Sequence, residues 1–337
     1  MRIVFCGTPE FAVPTLQAVA AAGHSVELVV TQPDRQSGRG LAMAQPAVKQ
    51  AALSMGIPPS LILQPEKIRS NPEFRAALEA AAPDAILVVA YGRIIPQWML
   101  DLPRFGNINL HGSLLPKYRG AAPVQWAVAN GETATGVTTM RLDAGLDTGD
   151  MLLRRELPIG PAQTAQELFP LLAEMGSALM VETLDGLARG TLSPVKQDDA
   201  LATLAPILTR EDARMDFTQP AQSLYNRWRG FQPWPGAYTS LRGKKLIVHA
   251  MRVAEAMPEA MPVPVAMGVT EAAHVPAAQP QLSAEPGVLL AVDGRMLVQC
   301  GGGTVLELLQ VQLEGKKRLA ASEFCSGYQL KPGERLG

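Results

Sequence analysis

Three short runs of apolar residues constrain what this chain can fold into more than any other feature. Ile3-Val-Phe-Cys6, Val26-Glu-Leu-Val-Val30 and Asp84-Ala-Ile-Leu-Val-Val-Ala90 lack the strict alternation of a sheet with one wet face. Strands buried on both faces read this way, and they belong to parallel sheets covered by helices. Gly7 closes the first run, and Thr8-Pro9 reads as the cap and first residue of a helix that continues to residue 22. Strand, helix and strand in that order make a βαβ unit, so an α/β, Rossmann-like parallel sheet is expected for the first part of the chain. Only Gly7 stands where three spaced glycines would mark a dinucleotide site, which speaks against a nicotinamide or flavin cofactor. Further helices are expected over 46–56, 72–82 and 163–189. Strands are expected at 136–142 and 151–156, the latter near an edge because it carries Arg154 and Arg155.

The stretch Asn107-Ile-Asn-Leu-His-Gly-Ser-Leu-Leu-Pro-Lys-Tyr-Arg-Gly120 opens as extended chain. Residues two apart on a strand share a face, so Asn109 and His111 aim an amide and an imidazole at one spot. Gly112 then breaks the strand into an irregular loop. Further on, Asp143-Ala-Gly-Leu-Asp-Thr-Gly-Asp150 brings carboxylates on a second loop. An amide, an imidazole and a carboxylate around a glycine-rich cleft suit proton transfer coupled to a developing oxyanion. Each group also has a plainer use. A lone histidine is commonly a hydrogen-bonded packing residue, and Asp143, Asp147 and Asp150 could all simply shape turns. Ser113 is no hydrolase nucleophile, because Gly112-Ser-Leu-Leu lacks the second glycine of that elbow.

A length of 337 residues suggests two domains. Periodicity is lost over 190–207, which is read as a linker between a catalytic domain at 1–189 and a second domain at 208–337. In the second domain the turn-rich segment Phe231-Gln-Pro-Trp-Pro-Gly-Ala-Tyr238 precedes short strands expected at 246–250, 287–292, 297–300 and 305–313. Short strands between turns suggest a small, OB-like β-barrel. The Pro- and Ala-rich stretch 257–280 reads as a flexible insertion between its strands. A net charge of −1 excludes a protein that grips nucleic acid by bulk electrostatics. The second domain is mildly basic all the same, with Arg227, Arg229, Lys244, Lys245 and Lys316-Lys-Arg318. Cys6, Cys300 and Cys325 are isolated and show no metal-ligand spacing, so no metal and a reduced, cytoplasmic compartment are expected. Residues 1–6 lead straight into a strand, which leaves no signal peptide to be expected. No apolar run reaches the roughly 18 residues of a membrane span.

Asn109-Leu-His-Gly-Ser-Leu-Leu-Pro116 followed by Asp143-x-Gly-x-Asp147 resembles the shared active-site pattern of enzymes that take formyl from 10-formyltetrahydrofolate. Gly7-Thr-Pro-Glu-Phe11, Thr31-Gln-Pro-Asp-Arg35, Gly38-Arg-Gly40 and Lys117-Tyr-Arg-Gly-Ala-Ala-Pro123 resemble the branch of that family acting on methionyl-tRNA. The likeness runs from the first residues to Gly315-Lys-Lys-Arg318. It implies that Asn109, His111 and Asp147 are catalytic, and that Ser113, Leu114, Leu115 and Pro116 contact the folate. It further implies that backbone around 90–95 holds the pterin ring and that Arg39 meets the acceptor end of the tRNA. The implied co-substrate is 10-formyltetrahydrofolate and the implied partner is initiator methionyl-tRNA, handled by a monomer. Two positions depart from the pattern: Leu41-Ala42 stand where lysines are usual, and Gln232 stands where asparagine is common. Three rivals are weighed. Glycinamide ribonucleotide formyltransferase has one domain and a phosphate-binding glycine loop, which Gly7-Thr-Pro-Glu10 is not. Sugar-nucleotide formyltransferases share the two-domain plan and are the alternative enzymatic reading. A non-catalytic folate- or tRNA-binding protein would tolerate loss of Asn109, His111 and Asp147, and all three are present.

Overall fold

A computed structural model describes residues 1–37, 42–254, 285–291 and 294–337. Arg39 with its glycine neighbours, Leu41 and the insertion at 257–280 lie outside the described residues. The chain divides into two compact units, Met1–Val128 with Glu132–Leu208 and Ala129–Gly131 with Thr209–Gly337.

The first unit runs β1 (Arg2–Gly7), α1 (Val13–Ala21), β2 (Ser25–Val30), α2 (Ala47–Ser54), β3 (Ile62–Leu63), α3 (Pro72–Ala81), β4 (Ala85–Val89) and α4 (Gln97–Leu100). It continues with β5 (Asn107–His111), α5 (Pro123–Ala129), β6 (Ala134–Arg141), β7 (Met151–Pro158) and α6 (Ala165–Arg189). The strands form one seven-stranded sheet in the order β7-β6-β5-β4-β1-β2-β3. Pairing is parallel from β3 across to β5 and antiparallel for β5 with β6 and β6 with β7. The expected parallel sheet is therefore mixed on one side. The loop from β6 to β7 holds no crossover helix, so the chain can only return antiparallel. β7 ends the sheet, with Arg154, Arg155 and Glu156 exposed on it.

Burial on both faces accounts for the apolar runs. Ile3, Phe5, Leu87, Val89, Ile108 and Leu110 face one side and pack with Leu16 of α1 and Leu168, Leu172 and Leu179 of α6. Their sequence neighbours Val4, Cys6, Ile86 and Val88 face the other side, against Phe74 and Leu78 of α3 and Met99 of α4. α6 is set at its start by a capping box between Thr164 and Glu167, and it stops at Gly190 in the left-handed conformation. α1 begins later than its cap signal suggested. A single 3-10 turn at Glu10–Ala12 comes first, because Thr8 spends its hydroxyl on the Tyr91 carbonyl (3.1 Å) rather than on a helix end.

The stretch 190–207 is not a free linker. Leu204–Ala205 pairs in parallel with Arg119–Gly120, Met151 bridges Val195, and the Trp126 indole donates to the Pro206 carbonyl at 2.8 Å. Irregular backbone that bonds to another loop carries no periodicity, which is why it reads like a linker.

In the second unit, α7 (Ala221–Gly230) leads to β8 (Tyr238–Leu241), β9 (Lys244–Val253), β10 (Leu289–Ala291), β11 (Met296–Gln299) and β12 (Val305–Leu313), and α8 (Ala321–Tyr328) follows. The antiparallel order is β8-β9-β12-β11-β10, with bulges in β9 at 248–251 that curl the sheet. Leu336 bridges Leu241 at one edge and Arg335 bridges Val288 at the other, so the C-terminal residues join the two edges of this barrel-like sheet. Leu246, Val248, Val298, Leu306, Leu308 and Val311 fill it, with Leu224 of α7 and Phe324 of α8 packed against them.

Candidate active site

β5 brings Asn109 and His111 to the C-terminal side of the sheet, next to the end of β4. Both are buried, at 9% and 5% exposure. The Asn109 amide forms no side-chain hydrogen bond among the described residues, so it is free to meet a ligand. His111 is held from two sides. Its Nε2 lies 2.8 Å from the Tyr118 carbonyl, and its Nδ1 lies 3.7 Å from Asp147 Oδ2. A carbonyl only accepts, so Nε2 carries the hydrogen, and in the neutral ring Nδ1 keeps the lone pair. A proton taken on Nδ1 would face the Asp147 carboxylate directly.

Of the three aspartates on the 143–150 loop, geometry alone singles out Asp147. Asp143 accepts from the Gly145 amide and the Thr148 hydroxyl and so shapes its own turn. Asp150 gives its backbone carbonyl to Arg141. Asp147 Oδ2 instead reaches the Gly120 amide at 2.8 Å and turns toward His111. Asp147 and Tyr118, the two residues that meet the imidazole, both sit in the left-handed region with φ of +52° and +61°. Non-glycine residues held there store strain, which collects at functional sites.

The four residues expected to contact folate are largely committed to their own loop. Ser113 Oγ donates to the Lys117 carbonyl at 2.6 Å, and the Ser113 carbonyl accepts from Thr138 Oγ1 at 2.7 Å. Leu115 is fully buried against Met140 and Met151, its amide bonded to Thr138 and its carbonyl to Arg154. Leu114 and Pro116 are half-buried and present apolar surface only.

A cleft of about 560 Å³ lies at the ends of β1, β2 and β4, lined by Thr8, Gln32, Arg35, Gln45, Tyr91 and Arg93 among others. Ligands bind at this edge of open α/β sheets. Ala90 at φ +46° and Gly92 at φ +80° give the β4 loop its shape. Gln32 donates to the Tyr91 carbonyl at 3.1 Å, and its own buried Oε1 has no partner among the described residues. Below the cleft, Lys49 and Gln64 both bond Asp34 at 2.7 Å. Hydrogen bonds from Gln64 and then Lys49 hold the Asp34 carboxyl below its usual range.

Two family models match the chain: "Formyl transferase" over residues 1–184 and "Formyl transferase, C-terminal domain" over residues 207–329. A methionyl-tRNA formyltransferase of Acidobacterium capsulatum is 61% identical over all of both chains, and one of Koribacter versatilis is 53% identical over 100% of this chain and 99% of its own. The chain belongs to the methionyl-tRNA formyltransferase family. Two solved structures share the fold at lower identity. WlaRD, a sugar 3N-formyl transferase solved in the presence of dTDP and 5-N-formyl-THF, gives a TM-score of 0.61 at 16% identity, covering 94% of this chain and 99% of that one. HypX from Aquifex aeolicus in complex with tetrahydrofolic acid gives 0.58 at 17% identity over 99% of this chain. The formyltransferase chain spans 48% of HypX.

Of the three residues expected to be catalytic in this formyltransferase, His111 and Asp147 lie 3.7 Å apart, and Asn109 stands two residues before His111 on β5. The sequence carries no sign of Tyr118 and Thr138 as supports of this region, or of Gln197, whose side chain bonds the Asp147 and Gly149 carbonyls. Tyr118 lies inside a quoted motif, yet a backbone carbonyl aimed by a positive φ leaves no mark on residue type. Gln197 fell in the stretch read as a linker. Among the described residues no group of three or more His, Cys, Asp or Glu could hold a metal, and no helix is long and apolar enough to cross a membrane.

Proposed function

We propose that this chain transfers the formyl group of 10-formyltetrahydrofolate to the α-amine of initiator methionyl-tRNA. The observation that carries the reading is the His111 imidazole facing the Asp147 carboxylate, with Asn109 two residues away on the same strand, in a chain 61% identical to a methionyl-tRNA formyltransferase. The amine adds to the formyl carbon and makes a tetrahedral oxyanion. Asn109, aimed by β5 and with no side-chain hydrogen bond among the described residues, donates to that oxygen. Nδ1 of His111 carries the proton that must travel from the amine to the departing folate nitrogen. In its protonated state it also donates to the oxyanion, with Asp147 as counter-charge. Tyr118 keeps the ring in the one tautomer that leaves Nδ1 available. The free α-amine has an ordinary pKa near ~7.7–8.0, and esterification lowers it, so a neutral nucleophile exists near neutral pH.

Supports for the folate come from three sides. HypX was solved with tetrahydrofolic acid, WlaRD with 5-N-formyl-THF present, and the cleft beside residues 90–93 has the volume for a small-molecule ring system. Leu114 and Pro116 supply an apolar wall, while Ser113 and Leu115 hold that wall in place. In the second unit Lys244, Lys316, Lys317 and Arg318 are exposed, and the Lys245 carbonyl pairing with the Glu314 amide brings their segments together. They form the second unit's tRNA-facing surface in this reading, and Arg39, outside the described residues, remains a separate expected tRNA contact. Arg229 is buried and bonds Asn226, so it belongs to the fold instead. We further infer a cytoplasmic enzyme acting as a monomer. Purified protein given formyltetrahydrofolate and either methionyl-tRNA or an amino-sugar nucleotide should release tetrahydrofolate with the tRNA alone. Release with the sugar nucleotide instead would replace this reading with the sugar formyltransferase one.

A further inference from the structure

We propose that Gln197, buttressed by the buried Arg119, is a positioning residue for Asp147. The proposal rests on the role given to Asp147 above. The Gln197 side-chain amide donates to the Asp147 carbonyl at 2.8 Å and to the Gly149 carbonyl at 2.7 Å, using both of its hydrogens. Its oxygen accepts from Arg119 Nε at 3.0 Å. Arg119 itself is 7% exposed, and its Nη2 is paired with Asp199 at 2.7 Å. Both hydrogens of the Gln197 side-chain amide are therefore spent on one short piece of the 143–150 loop, while its oxygen is held by Arg119. That piece needs fixing. Asp147 has φ +52°, a conformation that reverts unless its surroundings over-determine it, and its carboxylate must stay near His111 Nδ1 to act as counter-charge.

The same segment reaches the other side of the imidazole. Thr203 Oγ1 accepts from the Tyr118 amide at 2.9 Å, and the Thr203 carbonyl accepts from the Arg119 amide at 2.8 Å. Residues 197–205 thus tie down both Asp147 and Tyr118, the two contacts of His111. Among the atoms that do this, the Gln197 amide spends both hydrogens on the Asp147 and Gly149 carbonyls and none on His111.

Gln197→Met keeps the length of the side chain and removes both donors and the acceptor. Freed to relax, Asp147 moves away from His111, and kcat should fall about 10- to 100-fold with KM for either substrate within about threefold. In an Asp147→Asn background the same substitution should cost less than about twofold, because the carboxylate it positions is already gone. Equal losses in both backgrounds, or a near-normal kcat for Gln197→Met, would overturn the positioning role. Should Gln197→Met fold poorly, Arg119→Lys gives the milder test: it keeps the buried charge for Asp199 but has no Nε to support Gln197. It should lower kcat about three- to tenfold, and again only while Asp147 is present. Asp147→Asn alone with an unimpaired rate would remove the role of Asp147 itself, and the positioning proposal would fall with it. A silent Gln197→Met beside a crippled Asp147→Asn would remove only the proposal.

Discussion

Asn109 shows how little a residue needs in order to be read as an oxyanion donor: a strand to aim it, burial, and no competing bond. Its amide meets no partner among the described residues, so its hydrogen bond is made only when a ligand arrives. Asn109→Ala should lower kcat about 10²–10³-fold and leave KM nearly unchanged, because the bond strengthens as the oxyanion forms. Steady-state kinetics with both substrates checks this, and a near-normal kcat would sink the assignment. His111 and Asp147 lie 3.7 Å apart, and in the proposed mechanism they act as one unit, so their substitutions should not multiply. The His111→Ala, Asp147→Asn double variant should be little slower than the poorer single variant. Independent, multiplying losses would mean that Asp147 serves Gly120 and its loop rather than the imidazole.

At the scale of elements, the site depends on how closely β6, β7 and the 112–118 loop approach. A Cβ on Gly136 would run into the Arg155 carbonyl of the neighbouring strand and would lie 2.6 Å from the Leu114 side chain. Gly136→Ala should therefore destabilise the first unit by about 1–3 kcal/mol, seen as a lower urea midpoint with an unchanged slope. Displacing Leu114 should also weaken folate binding in an equilibrium titration. An unchanged midpoint would show that β7, as an edge strand, gives way freely. The strands themselves were legible in the sequence because each has both faces buried, and hydrophobic runs record burial directly. Asn109 and His111 were legible because strand period puts them on one face. The antiparallel β6 and β7 were not fixed by residue type, since strand direction depends on connection geometry. The 197–205 segment stayed hidden for a different reason: its order comes from hydrogen bonds to another loop, and Gln197 or Thr203 would look the same in a linker.

Across the whole molecule, the residues assigned to chemistry fall in the unit Met1–Val128 with Glu132–Leu208, and the exposed basic residues of the barrel-like sheet fall in the other. A chain cut after residue 208 keeps the 197–205 segment and with it the bonds to Asp147 and Tyr118; one cut after residue 189 loses them. Both should retain the α/β core, because α6 carries the packing on β6, β7 and α1. The longer one should bind a folate analogue like the full chain, whereas the shorter should show a disturbed site even with small amine acceptors. Neither should use methionyl-tRNA well, since phosphate contacts from the second unit would be missing. For the full chain, tRNA binding should weaken with added salt while folate binding does not. Arg39→Ala should lower the slope of log K against log salt by about one unit, as expected for a single lost phosphate contact. Fluorescence titrations over a salt series, run on the full chain and on the chain ending at 208, decide the matter. Equal slopes and equal tRNA affinity for the two would mean that the barrel-like unit does not hold the RNA. The sugar-nucleotide reading would then have to be tested again on the first unit alone.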